Sequence, residues 1–430
     1  MVESELRSLL KRAPDGTKPV VIQHAFRGPK NQVGPRDELT HWIHWYPAKM
    51  FRRIPIAILD ALTIEAPMTL LDPYCGSGTV LLEAAARGHM AIGIDILPLA
   101  RMISRVKTTR LDPSHLSGHC AQLQSVPADS DPRSDAFLRT WFKPEVLNAL
   151  NVVASSLRRL EHIACREFMQ VSLSSVVRSV SLADPSIAPT VRLRRDRTRA
   201  LRYQRAVEHM EQIDGASVLR YFASRLDENL KRMGALWGVP TYGAATVLGG
   251  STDAAHTHLP PHSIDLILTS PPYCGAQKYA RAFRLEMLLL GSSREEVRQI
   301  ERSSLGSEDP LHTGLHRCGR LADRYLNEIG RSDKERLRIA QSYVGGLWDF
   351  AEESSRVLRH DGAAFVVLGN STVAGVGLPV DEIFGEAAAA FGLRHLITFV
   401  DPIPSRGMIT TRHKTAGRID EERVMWLKPS

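Results

Sequence analysis

The sequence predicts an α/β protein: an open, mostly parallel sheet covered by helices on both faces and interrupted by one large helical insertion. Three observations carry this reading. Short apolar runs bounded by turn signals, in "MTLLD", "MAIGIDI", "SIDLILTS" and "AAFVVLGN", have the length and pattern of buried strands. Helical patterns alternate with them, as in "YVGGLWDFAEESSRVLRHDG". Between residues 111 and 238 the strand signal almost vanishes while long helical patterns continue.

Taken in order, residues 1–40 are polar, carry Gly and Pro, and predict an extended N-terminal arm. "IPIAILDAL", Ile54 to Leu62, has helical spacing. Thr69–Leu71 reads as a buried strand, followed by a glycine turn, a helix from Val80, and a second strand in "MAIGIDI". That makes one βαβ unit, expected to be parallel and right-handed. The helical signals "PEVLNALNVVASSLRRLEHI" and "SVLRYFASRLDENLKRMGALW" fill the insertion at 111–238. Strands resume in "AATVLGG" and "SIDLILTS", and the sequence ends on "VDEIFGEAAAAFG" as a helix with "HLITFVD" and "ERVMWLKP" as strands. Residues 41–110 and 239–430 thus form one sheet domain, with a smaller polar insertion at 292–336.

Composition bounds the function. At 430 residues, with 43% hydrophobic and 24% charged residues, the chain can bury a large core. It has no apolar run long enough for a membrane span. "MVESELRSLLKRAPDG" lacks the basic-then-apolar order of a signal peptide. Five irregularly spaced cysteines give neither a disulfide framework nor a zinc ligand set. The expectation is a cytoplasmic protein, with no membrane and no metal. A net charge of +8 permits a polyanionic partner, and "VRLRRDRTRALRYQR" packs seven arginines between Arg192 and Arg205. A solvated helix face would give the same run of charge.

"LLDPYCGSGTVLLEAA" places Gly76 and Gly78 between a strand and a helix. Glycines there let the backbone approach a ligand, beside the unpaired N–H groups of the helix start. Ligands of open α/β sheets sit outside the carboxyl ends of the strands. Asp95 ends the next strand, where a carboxylate can take both ribose hydroxyls or cap the helix at Pro98. Asp253, in "LGGSTDAA", is placed to meet an adenine amino group or to serve as a turn residue. The turn is not GxGxxG and no Lys-Ser/Thr pair closes a phosphate loop. Asp72 would repel pyrophosphate but suits a cationic amino-acid head group, so a sulfonium nucleoside fits better than a dinucleotide.

"LLDPYCGSGT", "GID" and "TSPPY" in one chain resemble the S-adenosylmethionine-dependent amino-methyltransferases that modify exocyclic amines of DNA bases. "HWIHWYPAKMFRRIPIAIL" is similar to that family's methionine-side segment, with Met50 where phenylalanine is common. "YARAFRLEMLLLG" and "VVLGNSTVAG" are similar to one branch of it. The resemblance covers about residues 40–110 and 240–430. It implies a Rossmann-like class I methyltransferase sheet of seven mostly parallel strands, with the insertion as target recognition domain, although that insertion carries no recognition motif. Carried over by the resemblance, Tyr46, Pro47, Ala48, Lys49, Asp72, Pro73, Gly76, Gly78 and Thr79 surround the methionine part of the cofactor. Asp95 holds the ribose, Asp253 the adenine, and Ser270, Pro271, Pro272 and Tyr273 form the target-base site.

The chemistry explains that last motif. An exocyclic amine is a poor nucleophile because its lone pair is delocalised into the base. Acceptors that hold its N–H bonds, Ser270 Oγ and the Pro271 carbonyl, favour a tetrahedral nitrogen, and prolines fix the carbonyl direction in advance. Tyr273 offers a ring for stacking an extruded base. Cys274 as a covalent nucleophile lacks a neighbouring base. By the resemblance, serine at the head of the motif implies the cytosine 4-amino branch, where aspartate or asparagine is common in adenine enzymes. Adenine N6, RNA guanine N2 and a non-catalytic nucleic-acid sensor remain the alternatives. With DNA as substrate, Arg192, Arg194, Arg195, Arg197 and Arg199 are candidates for phosphate contacts. Arg281 and Arg284 either meet the flipped strand or lie on the surface of a helix with the apolar face "LEMLLL". A modification or defence system, with a cognate restriction endonuclease or defence partner, is the setting this reading allows.

Overall fold

In the computed structural model the apolar runs become strands of one sheet. The structure describes residues 3–11, 19–24, 26, 39–47, 49–62, 66–122, 135–185, 187, 190–193, 201–249, 253–275, 279–311, 318–403 and 419–430. The strands are β1 (Val20–Gln23), β2 (Thr69–Asp72), β3 (Met90–Ile94), β4 (Ala244–Leu248), β5 (Ile264–Thr269), β6 (Leu358–Leu368), β7 (Ser371–Val373), β8 (Val376–Leu378), β9 (Leu393–Pro402) and β10 (Glu421–Pro429). Eight of them form one sheet in the order β1-β9-β10-β6-β5-β2-β3-β4, and β7 and β8 make a separate small ribbon. Only β10 runs antiparallel, between β9 and β6. The mostly parallel Rossmann-like sheet is the one the sequence predicts.

Among the described residues the sheet has eight strands rather than seven. β1 lies in the stretch read as an extended arm and pairs in parallel with β9, from Val20 opposite Ile397 to Gln23 opposite Val400. It is four residues long, and its edge position leaves Val20 and Val21 exposed. A segment so short and half-exposed carries too little period-2 pattern to separate from a loop. The same stretch opens with a helix, Glu3–Lys11, whose Leu6 is buried with Ile54 and Ile58 of the helix Arg53–Ala61.

Side chains of each central strand divide between the two faces. Leu70, Leu266, Phe365 and Trp426 pack in one cluster; their neighbours Leu71, Ile267, Val366 and Met425 pack in the other. This is the alternation that pleating imposes, with both faces covered. The register puts β2 beside β5, with Leu70 opposite Leu266 and Leu71 opposite Ile267. From that pair the chain winds outward in both directions, so their C-terminal ends mark the switch point of the sheet.

Within 111–238 the long helices are Pro144–Arg158, Ile163–Val177 and Gly215–Trp237. The last starts at a capping box in which the Asp214 carboxylate accepts from the Ser217 backbone N–H at 2.8 Å. Their apolar faces share one core with Ile103 and Val106 of the helix Pro98–Thr108 and with Phe283, Leu285 and Met287 after the proline motif. The smaller insertion contributes helices Arg294–Ser303 and Arg320–Ser332.

Candidate active site

β2 ends at Asp72, and the chain turns through Gly76 (φ +50°) and Gly78 (φ +73°) into the helix Thr79–Ala85. Both glycines are left-handed, a conformation costly for other residues. At Gly76 a Cβ would approach the Tyr46 ring to 3.3 Å; at Gly78 it would come within 2.8 Å of Ser104 Oγ. The turn is pinned from outside. The Cys75 N–H donates to the Ile94 carbonyl at 2.9 Å, Ser104 Oγ donates to the Gly76 carbonyl at 2.8 Å, and the fully buried Lys107 reaches Ser77 Oγ at 3.2 Å.

A cavity of about 320 Å³ opens where this turn meets the end of β5. Its wall includes Tyr46, Lys49, Asp72, Pro73, Gly76, Thr79, Asp95, Asp253, Ser270 and Pro272. Chain segments far apart in sequence therefore meet at one site. Burial pushes Lys49 down to about 8, with Arg52 adding to the effect, while its ammonium stands 3.8 Å over the Trp42 ring. Met50 also lines the cavity, where the family often has phenylalanine. Pro47 is buried, and Ala48 lies outside the described residues.

Two carboxyls dominate the electrostatics. Asp72 accepts from Thr269 Oγ1 at 2.6 Å and from the Tyr74 N–H at 3.2 Å, yet burial raises it to about 7. Asp95 accepts from the Leu97 N–H at 2.8 Å and the Gly76 N–H at 3.0 Å. Burial raises it to about 6 against those bonds. Each Asp95 oxygen takes one backbone donor, so each keeps a lone pair for a ligand hydroxyl. Asp95 braces the start of the helix Pro98–Thr108 without being its N-cap, which is Leu97. Asp253, at the far end, folds its carboxylate onto the N–H groups of Ala255 (2.9 Å) and His256 (2.8 Å).

The proline motif follows β5 directly. Ser270 and Pro272 face the cavity, and Pro271 is buried. Tyr273 is directed elsewhere: a Cβ at Gly369 would lie 3.0 Å from its ring, and its hydroxyl donates to Glu422 Oε1 at 3.1 Å. The aromatic wall of the cavity comes instead from Tyr46 and Tyr279, stacked at 6.1 Å between centroids. Burial raises the Cys274 thiol to about 12, keeping it a thiol rather than a nucleophilic thiolate.

Several wall residues were not singled out by the sequence. Arg302, Ser304, Leu305 and Pro310 come from the smaller insertion, and Ser342, Gly346 and Asp349 from the helix Lys334–Val357. No local motif marks them; only the position of the insertion, just after the proline motif, points to the site. Arg281 and Arg284 both pair with Glu301, at 3.0 and 3.3 Å. Arg192 is exposed and donates to the Thr140 carbonyl. Arg194, Arg195, Arg197 and Arg199 lie outside the described residues. Among the described residues no His, Cys, Asp and Glu group is placed to hold a metal, and no helix is long and apolar enough to cross a membrane.

Residues 43–110, the segment that builds the turn and its pins, match the family described as UPF0020, RMKL-like, methyltransferase domain. Over 403 residues the chain is 26% identical to the Type II methyltransferase M.MvaI of Kocuria varians, covering 86% of each protein. The Type II methyltransferase M.AvaI of a Nostoc species is 24% identical over 415 residues, 84% of this chain and 80% of that protein. The chain is a methyltransferase. Among solved structures, the rRNA methyltransferase aviRa from Streptomyces viridochromogenes aligns with 94% of this chain at 12% identity and a TM-score of 0.32.

The donor of this methyltransferase is S-adenosylmethionine, and the cavity fits it. Thr79 Oγ1 is buried on the cavity wall with no partner among the described residues, an acceptor and donor awaiting a ligand. Asp72 and Asp95 are held partly protonated by burial, and a sulfonium or ammonium charge beside them would restore the ionised forms. The bare backbone at Gly76 leaves room for close approach.

Proposed function

We propose that the protein is a site-specific DNA methyltransferase that places a methyl group on the exocyclic N4 amine of cytosine. The observation that carries this reading is the position of Ser270. It faces the cofactor cavity at the switch point, one residue beyond Thr269, which is itself hydrogen-bonded to Asp72 of the cofactor turn at 2.6 Å. An amine held at Ser270 is therefore held beside the cofactor. The relatives named as Type II methyltransferases support site-specific DNA as the substrate class, and the serine heading the motif favours cytosine over adenine.

In this reading Asp95 takes the ribose hydroxyls, Asp253 the adenine amine, and Asp72, Thr79 and the turn at Gly76 the methionine end. S-adenosylmethionine supplies an electrophilic methyl on a cationic sulfur. Ser270 Oγ and the Pro271 carbonyl accept the N–H bonds of the extruded base and orient its lone pair. The prolines make that orientation available before the base arrives, so it costs no rearrangement at the moment of reaction. The base leaves the duplex because its amine cannot be reached within the stack.

The test is product identity. Protein, radiolabelled S-adenosylmethionine and separate pools of duplex DNA, single-stranded DNA and RNA are incubated, and the digested nucleosides are resolved. N4-methylcytosine from DNA is the expected product. N6-methyladenine or N2-methylguanosine would replace the substrate assignment, and no labelled nucleoside from any pool would remove the enzymatic reading.

A further inference from the structure

We infer that Trp42 and Trp45 form a stacking platform for the unpaired bases beside an extruded nucleotide. The inference rests on the proposed extrusion of a DNA base and adds a binding surface, outside the cavity, that no motif marks. Of residues 39–47, seven are buried, and the two left out are the tryptophans. Trp42 is 50% exposed and Trp45 48%. An indole is among the side chains that gain most from burial. Two of them held out of an otherwise buried segment therefore mark a contact surface.

The backbone that carries the two rings is held from both sides. The Trp45 carbonyl accepts from His44 Nδ1, His44 Nε2 meets Ser174 Oγ at 3.0 Å, and the Ile43 carbonyl accepts from Asn229 at 3.2 Å. Trp45 rests against Phe283, at 6.0 Å between centroids, and Phe283 lies 5.1 Å from the Tyr46 ring that lines the cavity. The platform thus stands at the cavity rim, where the helical insertion meets the sheet. A surface fixed before binding loses little conformational freedom when it is covered.

The charge around the rings selects the occupant. Lys49 Nζ stands 3.8 Å over the Trp42 ring, and the Arg178 guanidinium 5.7 Å over that of Trp45. Arg52 adds its charge beside Lys49, and Arg225 beside His44. An indole offers its face to any base, and a base laid on it brings its phosphate into this positive field. A protein partner would meet two separate rings set among cations rather than a continuous apolar patch. Extrusion supplies bases that need such a surface, because each neighbour of a flipped nucleotide loses a stacking partner. Stacking on Trp42 and Trp45 recovers part of that cost without reading sequence.

The experiment compares the full-length wild type with Trp45→Ala, Trp45→Phe, Trp42→Ala and the double alanine variant. Affinities are measured for a thymine homopolymer strand and for an abasic sugar–phosphate strand of the same length, across salt concentration. S-adenosylmethionine affinity and sedimentation are followed in parallel. Trp45→Ala should weaken binding of the thymine strand about tenfold and leave cofactor affinity unchanged, and Trp45→Phe should restore most of the loss. Trp42→Ala should weaken that binding by a similar factor, and the double variant by more than either alone. The slope of log Kd against log salt should keep its wild-type value in Trp45→Ala, because no phosphate contact is removed. The abasic strand should bind wild type and Trp45→Ala alike. Alanine variants that hold the thymine strand as tightly as the wild type overturn the platform alone. So does an equal loss on the abasic strand, an equal loss of cofactor affinity in Trp45→Ala, or a change of oligomeric state with DNA binding intact. A wild type that binds neither strand and methylates no DNA overturns the proposed function and the platform with it.

Discussion

At the scale of single residues the candidate site is marked by two carboxyls whose ionisation burial disfavours. Asp72, raised to about 7, and Asp95, raised to about 6, hold protons in the folded, ligand-free protein that the unfolded chain would release. Between the ordinary carboxylate range and about pH 7, stability of the ligand-free protein should therefore fall as pH rises. A cationic ligand works in the opposite sense. It favours the ionised carboxylates, so S-adenosylmethionine affinity should increase through the same window and binding should release protons. Titration calorimetry in buffers of different ionisation enthalpy measures that release directly; binding with no proton release between about pH 5.5 and 7 would contradict the burial argument. Substitutions should divide the labour between binding and chemistry. Asp95→Ala removes a charged acceptor for ligand hydroxyls, worth about 1.5–3 kcal/mol, and should weaken cofactor binding by about 10- to 100-fold. Ser270→Ala should slow single-turnover transfer by about 10²-fold with little change in cofactor affinity. Equal losses of affinity in the two variants would show that Ser270 belongs to the cofactor site instead.

At the scale of elements, the candidate site is two strand ends and the turns that follow them. Gly78 allows the first turn: its φ of +73° and its 2.8 Å clearance from Ser104 Oγ leave no room for a side chain. Gly78→Ala should cost about 1–2 kcal/mol from the backbone conformation alone, read as a lower denaturant midpoint. It should also weaken cofactor binding, because displacing Ser104 frees the Gly76 carbonyl that Ser104 holds. An alanine variant with both properties intact would mean that the turn relaxes freely. Much of this scale was legible in the sequence. The strands around Asp72, Asp95 and Ser270 are short apolar runs cut off by a glycine or proline signal, and such runs survive any tertiary context. β1 was not legible, because four residues at an edge carry no usable period. Nor was Glu422, since "ERVMWLKP" reads as a strand but its direction is set by pairing with β6 and β9. The wall residues Arg302, Ser342 and Asp349 escaped for a related reason: helices place them by packing, and nothing in their own neighbourhood records it.

At the scale of the whole molecule, the helical insertion and the sheet share their interior. The segment 39–46 runs between them and bonds to both. His41 meets Glu83 of the cofactor helix at 2.6 Å, and Thr40 Oγ1 donates to the Lys107 carbonyl at 2.6 Å. On the other side His44 meets Ser174 at 3.0 Å, and Asn229 donates to the Ile43 carbonyl at 3.2 Å and to Ser172 Oγ at 3.0 Å. Burial lowers His44 to about 4, so it stays neutral and serves as a hydrogen-bonding strut rather than a charge. Arg105 adds a two-pronged bond to Glu167, at 2.6 and 3.0 Å, from the helix Pro98–Thr108 to the insertion. Each buried bond is worth about 1 kcal/mol when made and costs more when one partner is left alone. The apolar core around Ile103, Phe168 and Phe283 continues through the same boundary. A recognition module joined only by linkers would melt by itself; one that shares a core cannot lose its order without exposing the back of the cofactor turn. Calorimetric unfolding should accordingly give one cooperative transition for the sheet and insertion together. S-adenosylmethionine should move that transition as a whole to higher temperature. Asn229→Ala, far from the cavity in sequence, should lower the transition temperature without splitting it. Two separated transitions, with only one of them responding to the cofactor, would show that the insertion folds as an independent unit and that the contacts of residues 39–46 couple nothing.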